Sequence, residues 1–418
     1  MQPLTALLYI EVKKMNLISV DTLKPGMIFT EPVYIEGENI LVPAGVKLKK
    51  KDIDRLKSWD ISTVATNGKL EEADTKSTDK KSADSKKPAE PAGSEPAAKQ
   101  VKKTKANAIS LAEVQENNEV YRSYKDFIER LNEIFDDIGM GLSIESRSID
   151  SISNRLIQTV RENRNSVIGF ILGGEVSGFE LAKSSINAAI LSALIAIELK
   201  LPNHKVMKIV SGALLHDIGM LRLPKELVSK RGGLSEAEML RMQAHPIYAH
   251  RIVTKELLYP EEVGFVVVQH HERWDGEGYP RKLMGDAIDI GARIVSVADA
   301  FEAMVSQKPY RNSMVGYQAM KNLLSDNSRR FDPDVLKAFI QTMGIYPIGS
   351  IIVLNNSALA RVVEVQGTAP LRPKIRILID EKGNTLKQDE GEIIDLLKDK
   401  HLFIAKAVDP KDLVSKDA

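Results

Sequence analysis

Two adjacent imidazoles, His270 and His271, run into Glu272-Arg273-Trp274-Asp275-Gly276-Glu277-Gly278-Tyr279-Pro280, an acidic turn punctuated by glycine. With His216-Asp217 upstream and Asp299 downstream, this string completes a set of nitrogen and oxygen donors suited to hard or borderline divalent metals. The chemistry such a set points to is metal-dependent attack on a phosphoester.

Each donor has its own local argument. His216-Asp217 follows Ala213-Leu214-Leu215 and precedes Ile218-Gly219, the place where a helix ending in the core would set it. A buried, unpaired carboxylate is costly, and a metal ion removes that cost; a hydrogen-bonded His-Asp pair in the core is the other reading. Asp299 stands in Ile294-Val295-Ser296-Val297-Ala298-Asp299-Ala300-Phe301, with scarcely another polar group beside it. It asks for a cation, a cap or a salt bridge. His270 and His271 end the run Val266-Val267-Val268, and neighbours on a helix point about 100° apart, so the pair can serve two metals or one metal and a substrate oxygen. Taken alone, His245 in Met242-Gln243-Ala244-His245-Pro246 reads as structural, as do His204, His250 and His401. Jointly, His216, His245, His270, His271, Asp217 and Asp299 could hold two metals about 3.5 to 4 Å apart, an arrangement that serves phosphoryl chemistry.

The elements that must position these groups are mostly helices. Tyr121, Tyr124, Phe127, Ile128, Leu131, Ile134 and Phe135 recur three and four apart and predict an apolar stripe. That stripe, within residues 121–171, suits a homodimer face or a face packed inside the domain. Further helices are predicted over 152–171, 181–199, 205–215, 235–257, 263–271, 289–306 and 315–343. The fold class expected is therefore mainly α, an all-helical catalytic domain over 166–345 with a helical lead-in over 107–165. A small α/β module is expected over 16–68, with strands at Met27–Tyr34, Asn39–Val42 and Ile61–Ala65 and a helix at Lys50–Leu56. Residues 69–106 collapse to Lys, Ser, Ala, Asp, Glu and Pro and read as a flexible linker, because such a segment buries too little to offset its chain entropy. After Pro347, β-rich runs at 350–354, 360–365 and 374–379 predict a small antiparallel appendage over 346–406.

Composition narrows the partners. The 418 residues carry 58 Lys and Arg against 57 Asp and Glu, a net charge of +1, so no global basic field argues for a nucleic-acid polymer. Any anionic ligand must be held locally. The chain has no cysteine, which excludes disulfides and thiolate chemistry and accords with a cytoplasmic setting. The apolar run Met1–Ile10 lacks a cationic leader and is too short to span a bilayer, so neither a signal peptide nor a transmembrane segment is expected.

These motifs resemble a known family. His216-Asp217-Ile218-Gly219, His245-Pro246, the string from His270 to Pro280 and Ala298-Asp299-Ala300-Phe301 look like the signatures of HD-GYP domains, a branch of the HD phosphohydrolases, over roughly 169–343. The resemblance implies hydrolysis of the bacterial second messenger cyclic di-GMP, to pGpG and in some members onward to GMP, by two or three divalent metals, iron or manganese foremost. It implies a role in signalling, with protein partners. Carried over position by position, His216, Asp217, His245, His270, His271 and Asp299 match metal ligands, with Asp217 bridging. Glu180 matches an acid that some members use for a third metal. Tyr279, Lys308 and Arg311 match contacts to substrate phosphate; a lysine at 308 keeps the charge of the usual arginine and loses its fork.

Two positions depart from the family pattern. Ser184 stands where the family has the first histidine of its metal set, and Met220 where it places a lysine thought to assist proton transfer at the scissile phosphate. General acid catalysis contributes about 10²- to 10⁴-fold. The sequence therefore supports an active phosphodiesterase with a rearranged centre, or a catalytically impaired domain that binds cyclic di-GMP or protein partners. A phosphohydrolase acting on another nucleotide is a third reading, weakened by Gly278-Tyr279-Pro280.

Overall fold

The computed structural model describes residues 16–35, 39–58, 63–70, 119–173, 180–230, 232–306, 316–325, 329–386 and 391–409. Nearly all of the expected linker, along with Lys308 and Arg311, lies outside them. The described chain divides into an N-terminal unit and a larger unit that begins before the first long helix.

The N-terminal unit holds strands β1 (Asn16–Ser19), β2 (Val33–Ile35) and β3 (Asn39–Val42), helix α1 (Lys50–Ser58) and strand β4 (Thr63–Thr66). Its antiparallel sheet runs β1-β4-β2-β3 over a core of Val20, Phe29, Val33, Leu48, Leu56 and Val64. The strand expected at Met27–Tyr34 begins only at Val33. Before it, Gly26 N–H donates to Leu48 O and Leu48 N–H donates to Met27 O, so residues 26–29 pair with a loop. Pro32, with no N–H to offer a ladder, separates that pairing from β2.

In the larger unit the helices are α2 (Glu119–Gly139), α3 (Ser146–Glu162), α4 (Arg164–Gly173), α5 (Glu180–Glu198), α6 (Asn203–Leu215), α7 (Lys225–Val228), α8 (Glu236–Met242), α9 (His245–Arg251), α10 (Glu261–Gln269), α11 (Ile290–Val305), α12 (Gly316–Ser325) and α13 (Pro333–Met343). Three stretches expected as single helices are each divided. Asn163 leaves helical geometry between α3 and α4. Pro246, at the second position of α9, opens a new helix after α8 has ended at Met242, as a residue without an N–H does most cheaply. At α13 the carboxylate of Asp332 accepts from Asp334 N and Val335 N, with Pro333 in the first turn, a strong start signal that separates it from α12.

Helix α5 lies at the centre. It is apolar on every side, buried from Ala182 to Ala196 with little interruption, and packs against α2, α6, α11 and α13. Such a helix has no solvent face to write in charge. By length and composition it is also the one helix among those described that could cross a bilayer, and 78% of that window is buried inside the fold. The stripe of α2, from Tyr121 to Ile138, is buried in the same core, so it is spent on packing within the chain. Beyond α13, strands β5 (Ile351–Leu354), β6 (Leu359–Glu364), β7 (Lys374–Ile379), β8 (Ile393–Asp395) and β9 (Ile404–Val408) form an antiparallel sheet in the order β8-β7-β6-β5-β9. The last two strands were not foreseen, being short and mixed in polarity.

Candidate metal centre

Helix ends build the site. His216 directly follows α6, His245 opens α9 after α8 has ended, and His270 directly follows α10. The last carbonyls of a helix lack intrahelical partners, and each ring uses one of them: Nδ1 of His216 donates to Ala213 O at 2.7 Å, Nδ1 of His245 to Met242 O at 2.7 Å, and Nδ1 of His270 to Val267 O at 2.8 Å. A carbonyl can only accept, so the proton sits on Nδ1 in all three. Once neutral, each ring turns an Nε2 lone pair inward, the orientation a ligating histidine requires.

What those lone pairs face is a carboxylate. Nε2 of His245 lies 3.1 Å and Nε2 of His270 3.7 Å from Oδ1 of Asp217, and the two Nε2 atoms are 3.5 Å apart. Oδ1 of Asp217 and Nε2 of His216 are buried with no hydrogen bond. Donor atoms of Asp217, His245, His270 and His271 all lie within 4.8 Å of one another. Electron pairs directed at one another in a buried site are unfavourable unless a cation lies among them. The residues present therefore fit a divalent metal.

Asp299, on α11, closes the far side: Nε2 of His216 is 3.5 Å from Oδ2 of Asp217 and 3.7 Å from Oδ1 of Asp299. Both carboxylates were expected to be buried, yet their side chains are 19% and 20% exposed, because the cluster opens to solvent on their side. Burial opposes a charge on His216, but Asp217 and Asp299 outweigh it and push the ring up to about 9. Against their own burial, His216 brings Asp299 down to about 2, and His216 with His245 and His270 holds Asp217 well below the usual carboxylate range. Burial and the neighbouring imidazoles hold His270 and His271 low. The site keeps two anions and at least two neutral rings near neutral pH.

Two glycines permit close approach. A Cβ at Gly219 would lie 2.0 Å from His245 O and 2.6 Å from Ala249 N, so only glycine lets the turn after Asp217 rest on the backbone of α9. At Gly278 a Cβ would lie 2.4 Å from Arg273 N and 2.6 Å from the Cα of Glu272. The loop of residues 273–283 thus folds back on its own start. Tyr279 N–H donates to His271 O at 3.2 Å, and the Tyr279 ring lies 4.7 Å from that of His271. Burial, followed by the charges of Asp217 and Asp299, keeps the Tyr279 phenol protonated.

Glu272 holds this loop. It is buried, and its two carboxylate oxygens accept from Arg281 N at 2.6 Å and Leu283 N at 3.0 Å. Sequence reasoning passed over it, although an acid directly after two histidines in a glycine-rich string was the available signal. On the outer side, Trp274 N–H donates to Arg330 O, and the guanidinium of Arg293 lies over the Trp274 ring while bonding Asp332.

The remaining predicted positions separate. Glu180 is exposed at the start of α5 and outside the tight donor group. Ser184 is buried and donates to Oε2 of Glu302 at 2.6 Å. Met220 is half-buried in the short helical turn after Asp217. His250 pairs with Glu261 at 3.0 Å near the surface, as its structural reading required, and His204 and His401 are exposed.

A helical domain whose His-Asp step abuts three further histidines under a Gly-Tyr-Pro loop defines a class: this part of the chain is an HD domain, and its motifs are those by which it resembles the HD-GYP branch. Residues 151–335 match the HD domain, 351–416 a KOW domain associated with the HD domain, and 16–149 a domain of unknown function, DUF3391. Among curated relatives, the cyclic di-GMP phosphodiesterase PA4108 of Pseudomonas aeruginosa is 28% identical over 249 residues, 60% of each chain. The response regulator RpfG of Xanthomonas campestris pv. campestris, a cyclic di-GMP phosphodiesterase, is 34% identical over 203 residues, covering 48% of this chain and 52% of its own. The 3'3'-cGAMP-specific phosphodiesterase 3 of Vibrio cholerae is 34% identical over 167 residues, covering 40% and 36%. The chain thus spans about 60% or less of the length of these relatives.

Proposed function

We propose that this protein is a metal-dependent phosphodiesterase of cyclic dinucleotides, with cyclic di-GMP its substrate and pGpG or GMP its product. The observation that carries this reading is the set of inward Nε2 lone pairs around Asp217, fixed by three Nδ1-to-carbonyl bonds. His216, Asp217, His245, His270, His271 and Asp299 would hold two divalent ions, iron or manganese; Glu180 would serve a third. When bound, such a metal supplies Lewis acidity and an activated water at neutral pH.

The chain's own groups do the rest. Tyr279, its phenol protonated and seated on His271, donates to a phosphate oxygen. Lys308 and Arg311 supply the cationic contacts that a doubly anionic substrate requires and that the net charge of +1 does not. Met220 offers no proton, so the departing oxygen takes its proton from solvent, and turnover is slower by a share of the about 10²- to 10⁴-fold that general acids contribute. The relatives with 3'3'-cGAMP in their names make the hybrid dinucleotide the first competitor in a substrate panel.

A second reading rests on Ser184, whose hydroxyl is engaged by Glu302: a domain that binds the dinucleotide and signals without cutting it. Calorimetry beside product chromatography, on protein loaded anaerobically with manganese, separates the two. Product formation absent from His216→Ala/Asp217→Ala supports the enzyme; saturable binding with intact nucleotide supports the sensor.

A further inference from the structure

Ser184 leads into a polar chain that crosses the core. Glu302, buried one turn after Asp299 on α11, accepts from Ser184 Oγ through Oε2 at 2.6 Å and from Asn187 Nδ2 through Oε1 at 3.3 Å. Ser306, at the end of α11, also donates to Oε1. Oδ1 of Asn187 in turn accepts from the Tyr124 hydroxyl at 2.7 Å. Burial, with the Glu302 charge second, keeps that phenol protonated and therefore a donor. Tyr124 belongs to α2, Ser184 and Asn187 to α5, and Glu302 to the helix that carries Asp299.

The packing makes this chain a choice rather than a necessity. All four residues lie among apolar neighbours in the core, where an aliphatic set of equal volume would cost less than polar groups that must all be satisfied. Residues three apart on a helix share a face, so the two bonds from α5 to Glu302 fix the rotation of α11 about its axis. That rotation aims Asp299. On α5 the Ser184 hydroxyl holds the Asp299 helix from the side.

We infer that Ser184, Asn187 and Glu302, anchored to Tyr124 of the lead-in helix, form a positioning network that sets the affinity of the centre for its metal, and that this affinity depends on how α2 is seated. The inference rests on the metal-binding reading above. Polar partners behind a ligand typically change metal affinity 10- to 100-fold when removed. The lead-in helix thereby gains a hydrogen-bonded route to a metal ligand without touching the metal.

The test measures manganese affinity of the full chain by competition with a fluorescent chelator, and in parallel the unfolding midpoint of the metal-free protein. Glu302→Gln, which keeps the size and loses the charge, should weaken binding about tenfold. Tyr124→Phe should weaken it about threefold, the scale of one net hydrogen bond. Tyr121→Phe, a hydroxyl removed from the same helix outside the network, should leave affinity within twofold. A purely structural role would lower the metal-free midpoint and leave affinity unchanged; affinities of Glu302→Gln and Tyr124→Phe within twofold of the parent would overturn the inference. If the parent chain itself takes up no manganese, the metal-centre reading falls and this one with it.

Discussion

Nε2 of His245 lies 3.1 Å from Oδ1 of Asp217 while the Nδ1 proton of the same ring is committed to Met242 O. The second nitrogen of the ring thus directly faces a carboxylate oxygen. Replacing the carboxylate removes the group around which the rings converge. Asp217→Asn should therefore weaken manganese binding about 100-fold or more while the fold persists, a result that equilibrium dialysis and circular dichroism together would establish. Retained affinity would place the metal elsewhere.

Metal uptake should release a proton. His216, raised to about 9 by Asp217 and Asp299 against its own burial, is charged below that pH in the metal-free protein, and a ligating imidazole must be neutral. Metal and proton compete, so affinity rises with pH, about tenfold per unit between pH 6 and 8 for one displaced proton, and levels above 9. Calorimetry in buffers of different ionisation enthalpy counts the protons. Zero protons released at pH 7 would contradict the assignment.

Loop and metal should separate at Glu272. Its oxygens hold Arg281 N and Leu283 N, and neither bond involves the donor cluster. Glu272→Gln exchanges one acceptor for an amide facing an N–H, so KM for cyclic di-GMP should rise about tenfold, at the cost of one buried bond, with metal content unchanged. Loss of metal in step with KM would show that the residue acts on the centre itself.

Gly219→Ala tests the approach of the turn after Asp217 to α9. A Cβ 2.0 Å from a backbone oxygen cannot be relieved by a side-chain rotation. Destabilisation of about 3 kcal/mol or more is expected in thermal or denaturant unfolding. A loss under 1 kcal/mol would mean that the two segments separate easily.

The sequence exposed the donors more readily than their support. Four histidines beside apolar runs and two acids in apolar company were legible because burial of such groups demands a partner. The roles of Glu272 and Glu302 were not, because each depends on where a loop or a second helix passes, and nothing local encodes that path. The helix breaks at Asn163 and Pro333 were misread for a related reason: apolar spacing continued across them, and the break lies in backbone geometry. Strands β8 and β9 escaped because three- and five-residue runs of mixed polarity resemble loop until a neighbouring strand pairs with them.

The central claim is that this cluster cuts a cyclic dinucleotide despite Ser184 and Met220. The most direct measurement is chromatography of cyclic di-GMP incubated with protein reconstituted anaerobically with manganese or iron, beside the same protein stripped by chelator, the His216→Ala/Asp217→Ala variant, and Ser184→His/Met220→Lys. The parent chain should release pGpG or GMP slowly and only with metal, the stripped or ligand-less protein should release none, and Ser184→His/Met220→Lys should release it faster. Intact cyclic di-GMP after prolonged incubation with metal-loaded parent chain would contradict the claim.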